Sequence, residues 1–286
     1  AMFKLLPSCP YIRMVNNVKT VAENKVTEVI PWRDVVTGVV ELNGRIVRDS
    51  SKKESVVSIS VDNPAQFFLN LFKQALENRK IEFSGALLDA DECNEKITYA
   101  KLKPLAERTS PPVKEIINYI NRNSHNLASE MLLKTIGKEA SGVGSFGRGI
   151  EQVKKFALLC NIPKDSYAVA DGSGLSRFNM NSPKNFVSLL SYMYKSDLKD
   201  VFVNSLAQPG KNGTLKRRMT KSLAENNVFA KTGSLNGVST LTGYVKNRDG
   251  QMIAFSIMIQ NQTVPDAVSQ NLQDLICMRL ASSALK

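Results

Sequence analysis

From Asn227 to its end the chain reads as three strands followed by a helix, and this tail constrains the fold more than any other stretch. Asn227-Val228-Phe229-Ala230, Ser239 to Lys246 and Met252 to Gln260 are rich in β-branched and aromatic residues. A helix is expected from about 265 to 282, with Val268, Leu272, Leu275, Ile276 and Leu280 on one face. Within this tail, Lys231-Thr232-Gly233-Ser234 places a lysine, a hydroxyl and a glycine on an edge strand. The lysine supplies a fixed positive charge, the hydroxyl can grip a carboxylate, and the glycine lets a substrate backbone approach. Taken alone, Lys-Thr-Gly is more simply a strand ending at a turn glycine.

Two further segments bear on that choice. Ser124-His125-Asn126 opens a helical run from Asn126 to Ile136, with Leu127, Met131 and Leu132 on one face. Pro111 and Pro112 start the preceding run, in which Val113, Ile116, Ile117 and Ile120 recur at helical spacing. A Ser-x-Asn between two helices sends its outer side chains one way and its middle one elsewhere. The serine can then relay a proton and the asparagine can donate to a substrate carbonyl; equally, Ser124 is a residue type that caps helices. The other segment, Asp171-Gly172-Ser173-Gly174-Leu175-Ser176-Arg177, follows the short apolar stretch Tyr167 to Ala170. Its glycines imply a tight loop, and Arg177 adds a fork suited to carboxylates, or is a solvated arginine on an ordinary turn.

Ser-His-Asn-Leu-Ala-Ser-Glu-Met-Leu-Leu, Asp-Gly-Ser-Gly-Leu-Ser-Arg and Ala-Lys-Thr-Gly-Ser-Leu occur in that order. Together they resemble the D-alanyl-D-alanine carboxypeptidase/endopeptidase family of the penicillin-binding protein 4 type, over about residues 105 to 286. Val61-Asp62-Asn63-Pro64-Ala65 and the helix after it resemble that family's inserted region less specifically. The resemblance implies an α+β fold: a serine β-lactamase/DD-peptidase-like (transpeptidase) domain, an antiparallel sheet flanked by helices, with a smaller β-rich accessory domain. The expected division is 1–104 for the accessory region and 105–286 for the C-terminal part of the catalytic domain, the three prolines between Lys101 and Pro112 marking the join.

The family's nucleophile lies in a Ser-x-x-Lys well before the Ser-x-Asn. Three matches occur here, Ser50/Lys53, Ser196/Lys199 and Ser283/Lys286, and none fits. Ser50 lies in the polar run Arg48 to Glu54, whereas the nucleophile needs the start of a buried helix that sets the lysine beside it. Ser196 follows the Ser-x-Asn, out of order, and Ser283 is at the C-terminal end. The expectation is therefore a C-terminal part of a longer enzyme, inactive alone. Ala1-Met2 looks like a tag remnant or a shortened reading frame, and no signal peptide precedes it although the family is exported to the periplasm or another extracytoplasmic space.

By resemblance, the missing serine attacks the penultimate carbonyl of a peptidoglycan stem peptide ending in D-Ala-D-Ala. Ser124 and Lys231 pass the proton to the leaving D-alanine, and Asn126 orients the acylated peptide. Thr232 and Ser234 hold the terminal carboxylate, Gly233 completes the rail, and Arg177 adds recognition of a stem-peptide carboxylate. β-Lactams are the implied inhibitors; no metal or other cofactor is implied. The rival from another class is a non-catalytic peptidoglycan-binding module that kept the groove without the serine.

Composition excludes some classes. With one histidine, set in the middle of the Ser-x-Asn and expected to point away from the cleft, neither a Ser-His-Asp triad nor zinc chemistry is expected. Cys9, Cys93, Cys160 and Cys277 have no paired spacing, and Cys160 and Cys277 are expected in the core. No apolar run reaches the length of a membrane span. The net charge of +12 includes a cluster at Lys211, Lys216, Arg217, Arg218 and Lys221. No base-stacking or groove-reading motif accompanies it, so a solvated loop is expected rather than nucleic-acid binding. Gly142-Val143-Gly144-Ser145-Phe146-Gly147 matches a dinucleotide fingerprint but follows a helix, and is expected to be a helix-to-helix loop. The first hundred residues should be mainly strands. A hairpin is expected across Val39 to Val47 with its turn at Asn43-Gly44, then a strand from Ser55 to Val61. A helix from Pro64 should follow, burying Phe68, Leu71, Phe72, Ala75 and Leu76. Further helices are expected at about 112–122, 125–136, 148–160 and 183–194.

Overall fold

A computed structural model of the chain describes residues 1–22, 27–48, 56–93 and 97–284. The chain divides into two compact units, Ala1–Glu107 and Arg108–Lys286.

In the first unit, β3 (Glu28–Arg33) runs antiparallel to β4 (Val40–Val47), while β1 (Met14–Asn16) and β2 (Lys19–Val21) pair in parallel with successive halves of β4. Asn43-Gly44 is not a hairpin turn. It lies in the middle of β4, opposite Ile30 and Val29. Gly44 has φ +115°, and a Cβ there would stand 2.2 Å from the Glu28 carbonyl oxygen, so the glycine serves close strand approach. The turn is instead at Asp34–Gly38, where one Asp34 carboxylate oxygen accepts from the amides of Val36 and Thr37. Residues 56–61 form no strand, and Ser55 lies outside the described residues.

Helix α1 (Pro64–Glu77) starts as its sequence dictates, with Asn63 accepting from the Gln66 amide and proline in the first turn. Its expected stripe is not buried: Phe68 and Phe72 are exposed and stack on each other at 6.3 Å. The core of this unit gathers instead around Cys9, Val40 and Leu42.

In the second unit, β5 (Val228–Leu235), β6 (Val238–Lys246) and β7 (Met252–Gln260) form an antiparallel sheet in that order. Alternation along the strands gives it two apolar faces. Val228, Ala230, Leu241, Val245 and Phe255 pack with Leu215, Cys277 and Ala281. Phe229, Tyr244, Met252 and Ala254 pack with Leu190, Val203 and Leu206, from α5 (Pro183–Lys195), α6 (Lys199–Ser205) and the residue after it. Tyr244, buried, satisfies its hydroxyl on the Leu190 carbonyl at 2.7 Å.

The closing helix α7 (Asp266–Ser282) presents an unexpected face to the sheet. Ser269, Gln273, Cys277 and Ala281 are buried, while Val268, Leu272, Leu275 and Ile276 are exposed. The inward polar groups have partners: Gln273 donates to Ser239 at 3.0 Å and accepts from Arg218, and Ser269 donates to Gln262. Small residues at the other inward positions let the helix lie close. Arg218, expected in a solvated cluster, is likewise drawn in. Its guanidinium pairs with Asp274 at 2.7 Å, the two side chains only 13% and 16% exposed. Lys211, Lys216, Arg217 and Lys221 remain exposed. The four cysteines are free, with Cys160 and Cys277 in the core. No helix among the described residues is long and apolar enough to cross a membrane.

Candidate active site

Helices α2 (Val113–Asn123) and α3 (Asn126–Ser141) meet at the Ser-x-Asn. Ser124 is not an N-cap. It ends α2 in the left-handed region, φ 54° and ψ 51°, its amide still bonded to the Ile120 carbonyl. The residue that caps α3 is His125, whose Nδ1 accepts from the Ala128 amide at 3.1 Å while its ring lies 5.1 Å from that of Tyr119. Capping occupies the imidazole and leaves the two flanking side chains out of the cap. The Asn126 carboxamide is exposed and makes no hydrogen bond among the described residues.

Lys231 lies in the middle of β5, paired with Thr242 on β6. Its ammonium donates to the Ser124 hydroxyl and to the Thr232 carbonyl, both at 2.7 Å. Burial lowers the pKa of Lys231 from 10.5 to about 8, because the charged form loses water. A lysine so tuned can take or give a proton near neutral pH. Thr232, Gly233 and Ser234 continue along β5 opposite Leu241, Thr240 and Ser239. The strand turns at Asn236-Gly237, with Gly237 at φ +77°.

The Asp171–Arg177 loop is tied to this frame at both ends. Asp171 accepts from the amides of Gly174 at 2.6 Å and Ser176 at 2.7 Å. Glu130, on α3, accepts from the amides of Gly172 at 2.8 Å and Ser173 at 3.0 Å. Arg177 reaches the Asn236 carbonyl at 3.4 Å, just past the end of the rail. The structure thus joins Ser124 to Lys231 directly, and Arg177 to the turn after Ser234. Sequence motifs missed two participants. Glu130 sits inside the quoted Ser-x-Asn segment, but its partners are 42 and 43 positions away. Thr214, in the short turn Gly213–Leu215, takes a hydrogen bond from the Thr232 hydroxyl at 2.9 Å.

An apolar hollow of about 290 Å³ opens between α2, α3 and α4 (Phe146–Leu159), lined by Ile120, Ser129, Leu132, Leu133, Val153 and Gly172. A larger open cleft of about 450 Å³, at Cys160, Lys184, Tyr192 and Lys195, shares none of the site residues. The Gly142–Gly147 stretch links α3 to α4.

Of the three Ser-x-x-Lys matches, the side chains that are described engage other partners than Lys231. Ser196 donates to the Met193 carbonyl, and Lys199 lies 4.1 Å over the Tyr194 ring. Ser283 donates to the Leu280 carbonyl at the end of α7, and Lys286 lies outside the described residues, as do Ser50 and Lys53.

Comparison with known proteins adds an independent line. Residues 4–282 match the model of the D-Ala-D-Ala carboxypeptidase 3 (S13) family. The chain is 30% identical over 279 residues to a D-alanyl-D-alanine carboxypeptidase of Actinomadura sp. (strain R39), an alignment covering 96% of this chain and 50% of that relative. It is 29% identical over 217 residues to the D-alanyl-D-alanine carboxypeptidase DacB of Haemophilus influenzae, covering 75% of this chain and 44% of that relative. The chain therefore spans about half the length of the curated relatives it matches. The crystal structure of penicillin binding protein 4 from Haemophilus influenzae shares its fold, with a TM-score of 0.75 at 23% identity over 95% of this chain and 64% of that one.

Proposed function

This chain belongs to the D-Ala-D-Ala carboxypeptidase 3 (S13) family, and we propose that it carries the docking and proton-transfer face of a serine-type hydrolase acting on peptidoglycan stem peptides that end in D-Ala-D-Ala. The observation that carries this reading is the contact of 2.7 Å between Lys231 and Ser124. A desolvated lysine bonded to a hydroxyl, beside a strand of threonine, glycine and serine, forms a proton relay next to a seat for a carboxylate.

In the proposed reaction, a serine from a Ser-x-x-Lys segment attacks the penultimate carbonyl, and its neighbouring lysine takes the serine proton. Ser124 and Lys231 deliver a proton to the nitrogen of the leaving D-alanine, and Asn126 orients the acylated peptide. Thr232 and Ser234 hold the terminal carboxylate, with the Ser234 backbone N–H as half of the oxyanion hole. Arg177 takes a further stem-peptide carboxylate. Water then hydrolyses the acyl-serine. β-Lactams enter the same groove as substrate mimics. Such substrates place the work in the periplasm or another extracytoplasmic compartment, with residues 1–104 as an accessory region and 105–286 as part of the catalytic domain.

The attacking serine, on this reading, is not that of any of the three Ser-x-x-Lys matches in this chain. The engaged side chains of Ser196, Lys199 and Ser283 support this, and so does the polar run around Ser50.

The test is covalent labelling by a fluorescent penicillin, read on a denaturing gel. This chain alone should give no band. Supplying a Ser-x-x-Lys segment should produce one, and Lys231→Ala should abolish it. A band from the chain alone would overturn the placement of the nucleophile. Failure to label even with that segment would overturn the hydrolase reading.

A further inference from the structure

We propose that Thr214 is a substrate-binding residue, a third hydroxyl beside Thr232 and Ser234 in the seat for the terminal carboxylate; this rests on the carboxypeptidase reading above. The turn that carries it is fixed from two sides. Gly213 has φ +63°, and a Cβ there would stand 2.6 Å from the Arg122 carbonyl oxygen and 2.8 Å from the Ala207 Cβ. Only glycine lets the turn press against the end of α2, two residues before Ser124. On the other side Leu215 is fully buried in the cluster that holds Val228 and Ala230 of β5. Thr214 is therefore clamped between the element that ends in Ser124 and the strand that holds Lys231. Yet it is itself exposed.

Its hydroxyl and that of Thr232 lie 2.9 Å apart, with Thr232 donating. Each threonine hydroxyl has one proton and two lone pairs. Without a ligand, the Thr232 proton is spent on Thr214. A docking carboxylate accepts the hydrogen bond from Thr232 and leaves Thr214 free to turn its own O–H toward the second carboxylate oxygen. Neither side chain has to travel, because the buried Leu215 and the β5–β6 ladder already hold both backbones. The neighbouring lysine has two of its three protons on Ser124 and on a backbone carbonyl. Thr214 thus adds its hydroxyl to the seat formed by Thr232 and Ser234.

The experiment compares an N-acyl-D-Ala-D-Ala peptide with its C-terminal amide, titrating each into this chain by calorimetry. The wild type should prefer the free carboxylate. Thr214→Val, which keeps the shape and removes the hydroxyl, should lose about tenfold in affinity for the acid and leave the amide unchanged. Thr214→Ser should restore the preference, which a packing role for the methyl group would not. A Thr214→Val protein that discriminates as the wild type does, or a Thr214→Ser protein that does not, overturns the role of Thr214. A wild type that shows no preference overturns the carboxypeptidase reading itself.

Discussion

The ammonium of Lys231 and the hydroxyl of Ser124, separated by 107 positions in sequence, are hydrogen-bonded at 2.7 Å. One comes from the middle of a strand and the other from the left-handed end of a helix. Because the strand belongs to a sheet and α2 is tied to α6, the pair is held by the fold rather than by either segment. Asn121 donates to Ser205 at 2.7 Å, and Arg122 donates to the Asn204 carbonyl.

The lowered pKa of Lys231 makes stability depend on pH in a defined window. Below about 8 the lysine is protonated in folded and unfolded chains alike, and the folded chain bears the cost of a desolvated charge. Between about 8 and 10.5 the unfolded chain binds more protons, so its Lys231 contribution to folding improves as pH rises. Subtracting the stability curve of Lys231→Met from that of the wild type in urea should show this rise. A flat difference from pH 7.5 to 10.5 would contradict it.

The Arg218–Asp274 pair is mostly withdrawn from water. Removing one member strands the other charge, so Arg218→Met should lower stability by about 3 kcal/mol. Chemical denaturation with added salt checks the burial. The loss should persist at high ionic strength, whereas a solvated pair would already be screened.

Helix α7 reverses the usual ranking of substitutions. Leu272→Gln, on the exposed stripe, should change stability by no more than about 0.5 kcal/mol. Gln273→Ala should cost about 2 kcal/mol or more, because it removes partners from Ser239 and Arg218. Urea midpoints in the opposite order would place the apolar stripe against the sheet.

Glu130 is predicted to hold the Asp171–Arg177 loop in place. Glu130→Ala leaves the Gly172 and Ser173 amides without their acceptor, and their hydrogen exchange should accelerate about tenfold or more. The Gly174 amide, bonded to Asp171, serves as the internal control. Equal protection of Gly172 and Ser173 in variant and wild type would remove Glu130 from this role.

The three strands, the final helix and the helices around Ser124 were legible because each follows from local periodicity and caps. What failed depended on distant partners. Asn-Gly occurs at 43–44, 212–213 and 236–237, and the last joins β5 to β6 as a hairpin; the first lies in a strand because Glu28 crosses it closely, and the second opens the Gly213–Leu215 turn. On α7, hydropathy marks the larger side chains, but the sheet selects the polar ones whose hydrogen bonds it can complete. Arg218 reads as one more surface cation until Asp274 is placed beside it. The motif residues themselves were visible in the chain. Thr214 belongs to no motif, and its nearness to Thr232 arises only when the Gly213 turn wedges between α2 and β5.

The left-handed backbone at Ser124 sets fitness for folding against fitness for chemistry at one Cβ. Serine, unlike glycine, is held there at a cost of about 1 kcal/mol. Glycine would relax the chain and in the same stroke delete the oxygen that faces Lys231. The backbone thus carries a small cost at Ser124 in exchange for an oxygen placed against the ammonium of Lys231.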